Sequence, residues 1–227
     1  MADQDFVAGS ILPSCLKELS LYVRGFMPNS EGEALGSFAL EALLARPSFS
    51  IEIGSYCGLS TIYLGWAAAM TSTTLVSIDH HIGSVENGPG WEHHDHLLYD
   101  PICHSIDTLY RFRRTLAVSG LKDHIVAVVS DSVVASKVLG NEAAFVFIDG
   151  GHGREVAFAD YRNYAPKIAT DGMLAIHDVF EDPTQGGRPP YEIYEVAISS
   201  GSFVELAKVG SLRILRRTNS ELNVSVL

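Results

Sequence analysis

An open, mostly parallel α/β sheet with helices on both faces and a C-terminal antiparallel hairpin is the fold class this sequence predicts. Three observations carry it. Short apolar runs that read as buried strands alternate with helical periodicity from about residue 30 to residue 199. Such alternation builds parallel sheets through helical crossovers. The chain has 227 residues, 47% apolar and 19% charged, which fills one core and would cramp two domains. The last element reads as two strands joined by Gly210-Ser211, a hairpin signal.

The elements follow in order. Pro13 to Met27 holds one short helix. Ser30 and Glu33 have the spacing of a capping box, in which hydroxyl and carboxylate each satisfy an orphan amide. Leu35, Phe38, Ala42 and Leu43 follow at helical spacing, and Pro47 ends the segment, so N-terminal helices fill about residues 1–46. Phe49 to Ile53 reads as a buried strand. A glycine-bearing turn, a helix over about Ser60 to Met70 and a strand over Thr73 to Ile78 come next. From His81 to Ile106 the periodicity disappears. Glycines, Pro89, Pro101, Trp91 and several histidines mark an inserted loop, and a loop this long in a compact domain is usually functional. Asp107 caps a helix that stops at Gly120. Strand Ile125 to Val129, a helix to Leu139, strand Phe145 to Ile148 and helix Arg154 to Tyr164 continue the alternation. Strand Met173 to Ile176, a Pro/Gly-rich loop over Glu181 to Pro190 and a helix over Tyr191 to Ser199 lead to the hairpin, Phe203 to Val209 and Leu212 to Arg216.

Composition excludes several classes. The formal charge of -11 leaves no basic face for a phosphate backbone, so nucleic acid is not the expected partner. The apolar run Ile62 to Met70 is far short of the roughly 20 residues that span a bilayer. The acidic start, Met1 to Asp5, is followed by no apolar leader segment. Cys15, Cys57 and Cys103 are odd in number and widely spaced, which suits neither a disulfide framework nor a zinc site. The expectation is a reduced, cytoplasmic, single-domain protein with a small-molecule partner, compatible with a homodimer.

Residues 52 to 61 read Glu-Ile-Gly-Ser-Tyr-Cys-Gly-Leu-Ser-Thr, directly between a strand and a helix. Gly54 and Gly58 are four apart, whereas the dinucleotide fingerprint begins with glycines two apart, which disfavours a nicotinamide oxidoreductase. Glycines let backbone approach a ligand closely, and the helix start supplies free amides. A tight turn with no ligand is the alternative. Glu52, at the strand end, is placed to accept from a ligand ammonium. Asp79 ends the second strand, where an acid grips a ribose diol in nucleoside-binding α/β folds. Ser130-Asp131-Ser132 end the third and can frame an adenine edge.

The run IEIGSYCGLSTIYLGWAA resembles the first motif of class I S-adenosylmethionine (SAM)-dependent methyltransferases. It is closest to the catechol-type, metal-dependent O-methyltransferases. The run FVFIDGGHGREVAFADYRNYAPKIATDGMLAIHDVF resembles the related group that includes macrolide-sugar O-methyltransferases. The resemblance covers about residues 30 to 217. It implies a seven-stranded, Rossmann-like sheet and SAM contacts from Glu52, Gly54, Ser55, Tyr56, Gly58, Ser60 and Thr61. It also implies contacts from Asp79, Asp131, Ser132 and Asp149.

Asp149 and Asp178 each follow an apolar strand, and neighbouring strand tips lie roughly 5 Å apart. Two carboxylates at that separation repel unless a cation lies between them. The resemblance implies that Asp149 and Asp178 ligate a divalent ion, with His177 as a third ligand or a supporting histidine. The related enzymes usually have an oxygen ligand at His177. Magnesium is the first expectation, and the imidazole leaves manganese or another transition ion open. His152, three residues after Asp149, matches the histidine base of the sugar enzymes, and imidazole titrates where base work at neutral pH requires. A turn histidine at a helix start is the alternative. Asp149-x-x-His152 favours a sugar hydroxyl as acceptor over a catechol or phenol. A SAM-binding protein without transfer activity would leave His152 and the two carboxylates without a purpose. His93, His94 and His96 around Asp95 are expected to touch the acceptor or simply to be solvated. Trp91, Tyr99 and Tyr110 offer stacking surfaces or anchor the loop.

Overall fold

A computed structural model describes residues 12–83, 95–151 and 153–218. Helices α1 (Ser14–Ser20) and α2 (Asn29–Ala45) precede strand β1 (Phe49–Ile53), helix α3 (Leu59–Thr71) and strand β2 (Thr74–Asp79). A small ribbon, β3 (Tyr99–Asp100) and β4 (Ser105–Ile106), leads to α4 (Leu109–Ser119), β5 (Ile125–Val129) and α5 (Ser132–Ser136). Then follow β6 (Ala143–Ile148), α6 (Arg154–Tyr164), β7 (Ile168–Ile176), α7 (Arg188–Ser199), β8 (Phe203–Val209) and β9 (Leu212–Arg217).

The seven-stranded sheet has the order β5-β2-β1-β6-β7-β9-β8. Pairs from β5 to β7 are parallel, and β9 runs antiparallel to both β7 and β8. The order reverses between β1 and β6, and in open α/β sheets ligands bind beyond the strand ends at that point. The period-two alternation of β6 shows how both faces are covered. Phe145 and Phe147 join the core under α2 and α3 with Leu35, Leu43 and Leu64. Val146 and Ile148 join the opposite core under α6 and α7 with Tyr161, Tyr164 and Ile193. A strand buried on both sides must be apolar throughout, and β6 is.

Several boundaries differ from the sequence expectation. Ser30 does not open a capping box. The Pro28 carbonyl accepts from the amides of Glu31 and Gly32, so α2 starts earlier and Ser30 lies inside its first turn. Glu33 instead pairs with Lys17 of α1 at 2.6 Å. Strand β7 begins before Met173. Ala143 pairs with Ile168 and Phe145 with Met173, so β7 carries a bulge that apolar periodicity does not reveal. Helix α5 ends at Ser136 rather than Leu139. Asp107 does act at the start of α4, where its carboxylate accepts from the Leu109 amide.

The segment expected as an unstructured loop over 81–106 contains the β3–β4 ribbon. Leu98 and Ile106 pack on Cys57, and Asp95 pairs with Arg24. His81 is buried, with Nδ1 2.8 Å from the Thr108 hydroxyl and its ring against Phe112. Tyr99 is half-buried and Tyr110 exposed. Trp91, His93 and His94 lie outside the described residues. Cys15, Cys57 and Cys103 are free thiols. Among the described residues no helix is long and apolar enough to cross a membrane.

Candidate functional site

The parallel ladder continues one step past the strand tips and brings the site together. The Gly54 amide donates to Ile78, the Asp149 amide to Ile53 and the His177 amide to Ile148. Gly54, Asp149 and His177 therefore stand side by side above β1, β6 and β7. Gly54 has φ +89°, and a Cβ there would lie 2.1 Å from the Asp149 carbonyl oxygen. Only glycine fits, by conformation and by space. Gly58 has φ +93° and starts α3.

Asp79, at the tip of β2, accepts from the Tyr56 amide at 2.8 Å and the His81 amide at 2.7 Å. Its carboxylate is thereby fixed beside the glycine turn. The Ser55 hydroxyl is buried and has no hydrogen-bond partner among the described residues, so the turn holds an orphaned polar atom there. Tyr56 is half-buried with φ +48°, strained for a non-glycine residue.

Glu52 is fully buried. Its carboxylate accepts from the hydroxyls of Ser60 and Ser77, each at 2.6 Å, and of Thr61 at 2.7 Å. Glu52, Ser60 and Thr61 thus form a sealed polar knot beneath the turn, where the sequence had suggested ligand contacts. Burial pushes the Glu52 carboxyl up to about 7, against the three donors that favour its ionised form.

At the tip of β5, Asp131 caps α5 by accepting from the amides of Val133 and Val134. The Ser132 hydroxyl donates to Asp160, and its carbonyl accepts from the Tyr164 hydroxyl at 2.6 Å. Burial raises Asp160 to about 6. Asp160 lines a narrow cleft together with Asp149, Gly150, His177, Pro190 and Ile193.

Asp149, His177 and Asp178 each offer one ligand atom, and these atoms lie within 4.8 Å of one another. His177 Nδ1 is 3.1 Å from Asp149 Oδ1 and 3.4 Å from Asp178 Oδ1. Asp178 has φ +55°, a turn that ends β7. His177 Nε2 is 2.6 Å from Glu31 Oε2, a carboxylate brought in by α2. Burial works against a charge on His177, but Asp149, Asp178 and Glu31 outweigh it and push its pKa up to about 12. Two carboxylates and one imidazole in reach of a common point form a donor set that suits a divalent cation.

The family profile described as "Methyltransferase domain" matches residues 51–179, from β1 through the tip of β7. The chain belongs to this methyltransferase family. Solved structures agree in fold. A methyltransferase of Podospora anserina, PaMTH1, determined with SAH bound, is 14% identical with a TM-score of 0.62 over 92% of this chain and 90% of its own. An O-methyltransferase of Bacillus cereus in complex with SAH is 15% identical, with a TM-score of 0.60 and 91% of each chain covered. A putative caffeoyl-CoA O-methyltransferase of Staphylococcus aureus is 10% identical, with a TM-score of 0.60 and the same coverage.

In this methyltransferase the structure brings Asp149, His177 and Asp178 together beside Gly54, and it holds Asp79 against Tyr56. Asp131 caps α5 beyond the edge strand β5, and Ser132 is linked to the cleft through Asp160. His152 lies outside the described residues. Sequence reasoning missed Glu31 and Asp160. A signal existed for both, because each interrupts an apolar helical stripe: Glu31 with Leu35, Phe38 and Ala42, and Asp160 with Ala157, Tyr161 and Tyr164.

Proposed function

We propose that this methyltransferase transfers a methyl group from SAM to a hydroxyl, most narrowly that of a saccharide. In this reading Asp149, His177 and Asp178 hold a divalent cation and His152 acts as base. The gathering of the three donor side chains beside the glycine turn is the observation that carries the reading. SAM supplies a sulfonium-activated methyl group, and a divalent cation supplies positive charge that acidifies a nearby hydroxyl.

The chain's own residues do the rest. Gly54 and Gly58 bring bare backbone and the start of α3 to the cofactor. The orphaned Ser55 hydroxyl and the fixed Asp79 carboxylate are further contacts, the latter for a ribose diol. Asp149 adjoins both halves, through its carbonyl at Gly54 and its carboxylate at His177. His152, three residues on in sequence, takes the acceptor proton. Two carboxylates favour magnesium, and the imidazole extends the range to manganese. Positioning of acceptor and methyl group supplies most of the acceleration.

The test is turnover with methyl-labelled SAM against sugars, glycosides and catechols. Chelator should stop transfer and magnesium or manganese restore it. Asp149→Asn and Asp178→Asn should abolish it, and His152→Ala should lower it by about 10²–10⁴-fold with SAM affinity unchanged. Turnover of catechols alone moves the acceptor to phenols. Full activity in chelator removes the cation.

A further inference from the structure

We infer that Glu31 is a positioning residue for the metal site: it holds His177 by Nε2 and thereby presents Nδ1 to Asp149 and Asp178. The inference rests on the metal reading above and extends it to a residue far outside the motif-bearing strands. Glu31 Oε2 lies 2.6 Å from His177 Nε2, and both side chains are buried. The other ring nitrogen is the one that faces the two aspartates. A neutral imidazole has one N–H and one lone pair, so the partner of one nitrogen fixes what the other can do. A carboxylate beside Nε2 accepts a hydrogen bond from its N–H, which keeps the proton there and leaves the Nδ1 lone pair free to ligate. Carboxylate–histidine–metal chains of this kind orient the ring and strengthen it as a ligand.

The surroundings show that the Glu31 carboxylate is itself built into place. The Ser211 amide donates to Oε1 at 2.8 Å, and the Ser211 hydroxyl to Oε2 at 3.2 Å. Residue 210 must be glycine for this approach, because a Cβ there would lie 2.0 Å from Glu31 Oε1, and φ is +54°. The β8–β9 turn that carries Ser211 is fastened to the end of β7. The Ser211 carbonyl accepts from the Val179 amide at 3.0 Å, and the buried Arg213 guanidinium donates to the carbonyls of Gly210 and Val179. Helix α2, the β7 tip and the hairpin turn thus converge on one imidazole.

Manganese binding followed by electron paramagnetic resonance, on purified protein without acceptor, tests this. Glu31→Ala should weaken manganese binding by about 10–100-fold, the usual range for such a partner. Glu31→Gln keeps the shape but puts an amide donor against either Ser211 or His177, so it should also bind manganese more weakly than wild type. Nitrogen NMR of histidine-labelled, magnesium-loaded protein supplies a readout that general destabilisation does not move. Wild type should show the His177 proton on Nε2, and Glu31→Gln should redistribute it between the two nitrogens. If Glu31→Ala does not fold, Glu31→Gln decides. Wild-type manganese affinity and an unchanged His177 tautomer in Glu31→Gln overturn the role of Glu31 alone. Absence of manganese and magnesium binding by wild type overturns the metal reading, and this inference with it.

Discussion

Replacing Glu52 by Gln should make the protein more stable at alkaline pH and remove a pH dependence that wild type shows. The Glu52 carboxyl is sealed under the glycine turn, and burial raises its pKa from 4.5 to about 7 despite three hydroxyl donors. The folded state therefore binds this proton more tightly than the unfolded state. The stability that Glu52 confers is fully present below the unfolded pKa and is lost as pH rises through about 7. A rise from 4.5 to about 7 corresponds to roughly 3 kcal/mol, at about 1.4 kcal/mol per pH unit. Gln carries no charge to bury and keeps the size of the side chain. One hydroxyl must turn to accept from its amide, at a small fixed cost that does not vary with pH. The assay is urea unfolding followed by circular dichroism, for both proteins, from about pH 5 to about pH 8. Other groups, such as Asp160, titrate in both proteins and cancel in the difference. The variant-minus-wild-type stability should climb by roughly 2.5 kcal/mol across this range, since at pH 5 the unfolded carboxyl is already mostly ionised. A difference constant to within about 0.5 kcal/mol refutes the reasoning, because Glu52 would then be ionised in the folded state as it is in the unfolded one throughout this range.

Two further outcomes follow from the same geometry. Gly54→Ala should destabilise the fold by roughly 2–5 kcal/mol, the sum of a left-handed backbone for a side-chain-bearing residue and overpacking against the Asp149 carbonyl. Calorimetry should show its manganese affinity falling too, because Asp149 must move, and wild-type stability would remove the close approach from the argument. Asp79→Ala should weaken SAM binding by roughly 1.5–3 kcal/mol, also read by calorimetry, and unchanged affinity would take the ribose role from Asp79.

The parts of the molecule legible in sequence are those governed by local rules. Strand–helix alternation, the Gly210-Ser211 hairpin and α6 over Arg154–Tyr164 follow from apolar periodicity and turn chemistry. Gly54, Asp79, Asp149, His177 and Asp178 are readable because each sits at or just beyond an apolar run, and strand ends in a parallel sheet converge on one edge. The start of α2 was misread because Ser30 and Glu33 satisfy a local cap pattern while Pro28 supplies the carbonyl that begins the helix two residues earlier. Sequence by itself determined the fold class, the glycine turn and the acids at the strand tips, since periodicity and the need for bare backbone are written in residue type. Tertiary structure alone decided which acids face inward and what they meet. Glu52 met three hydroxyls from β2 and α3, and Glu31 met His177 across 146 residues of chain. The physical reason is that a buried carboxylate must find its donors wherever packing brings them. Here those donors come from β2, α3 and the β8–β9 turn, elements whose approach no local pattern encodes.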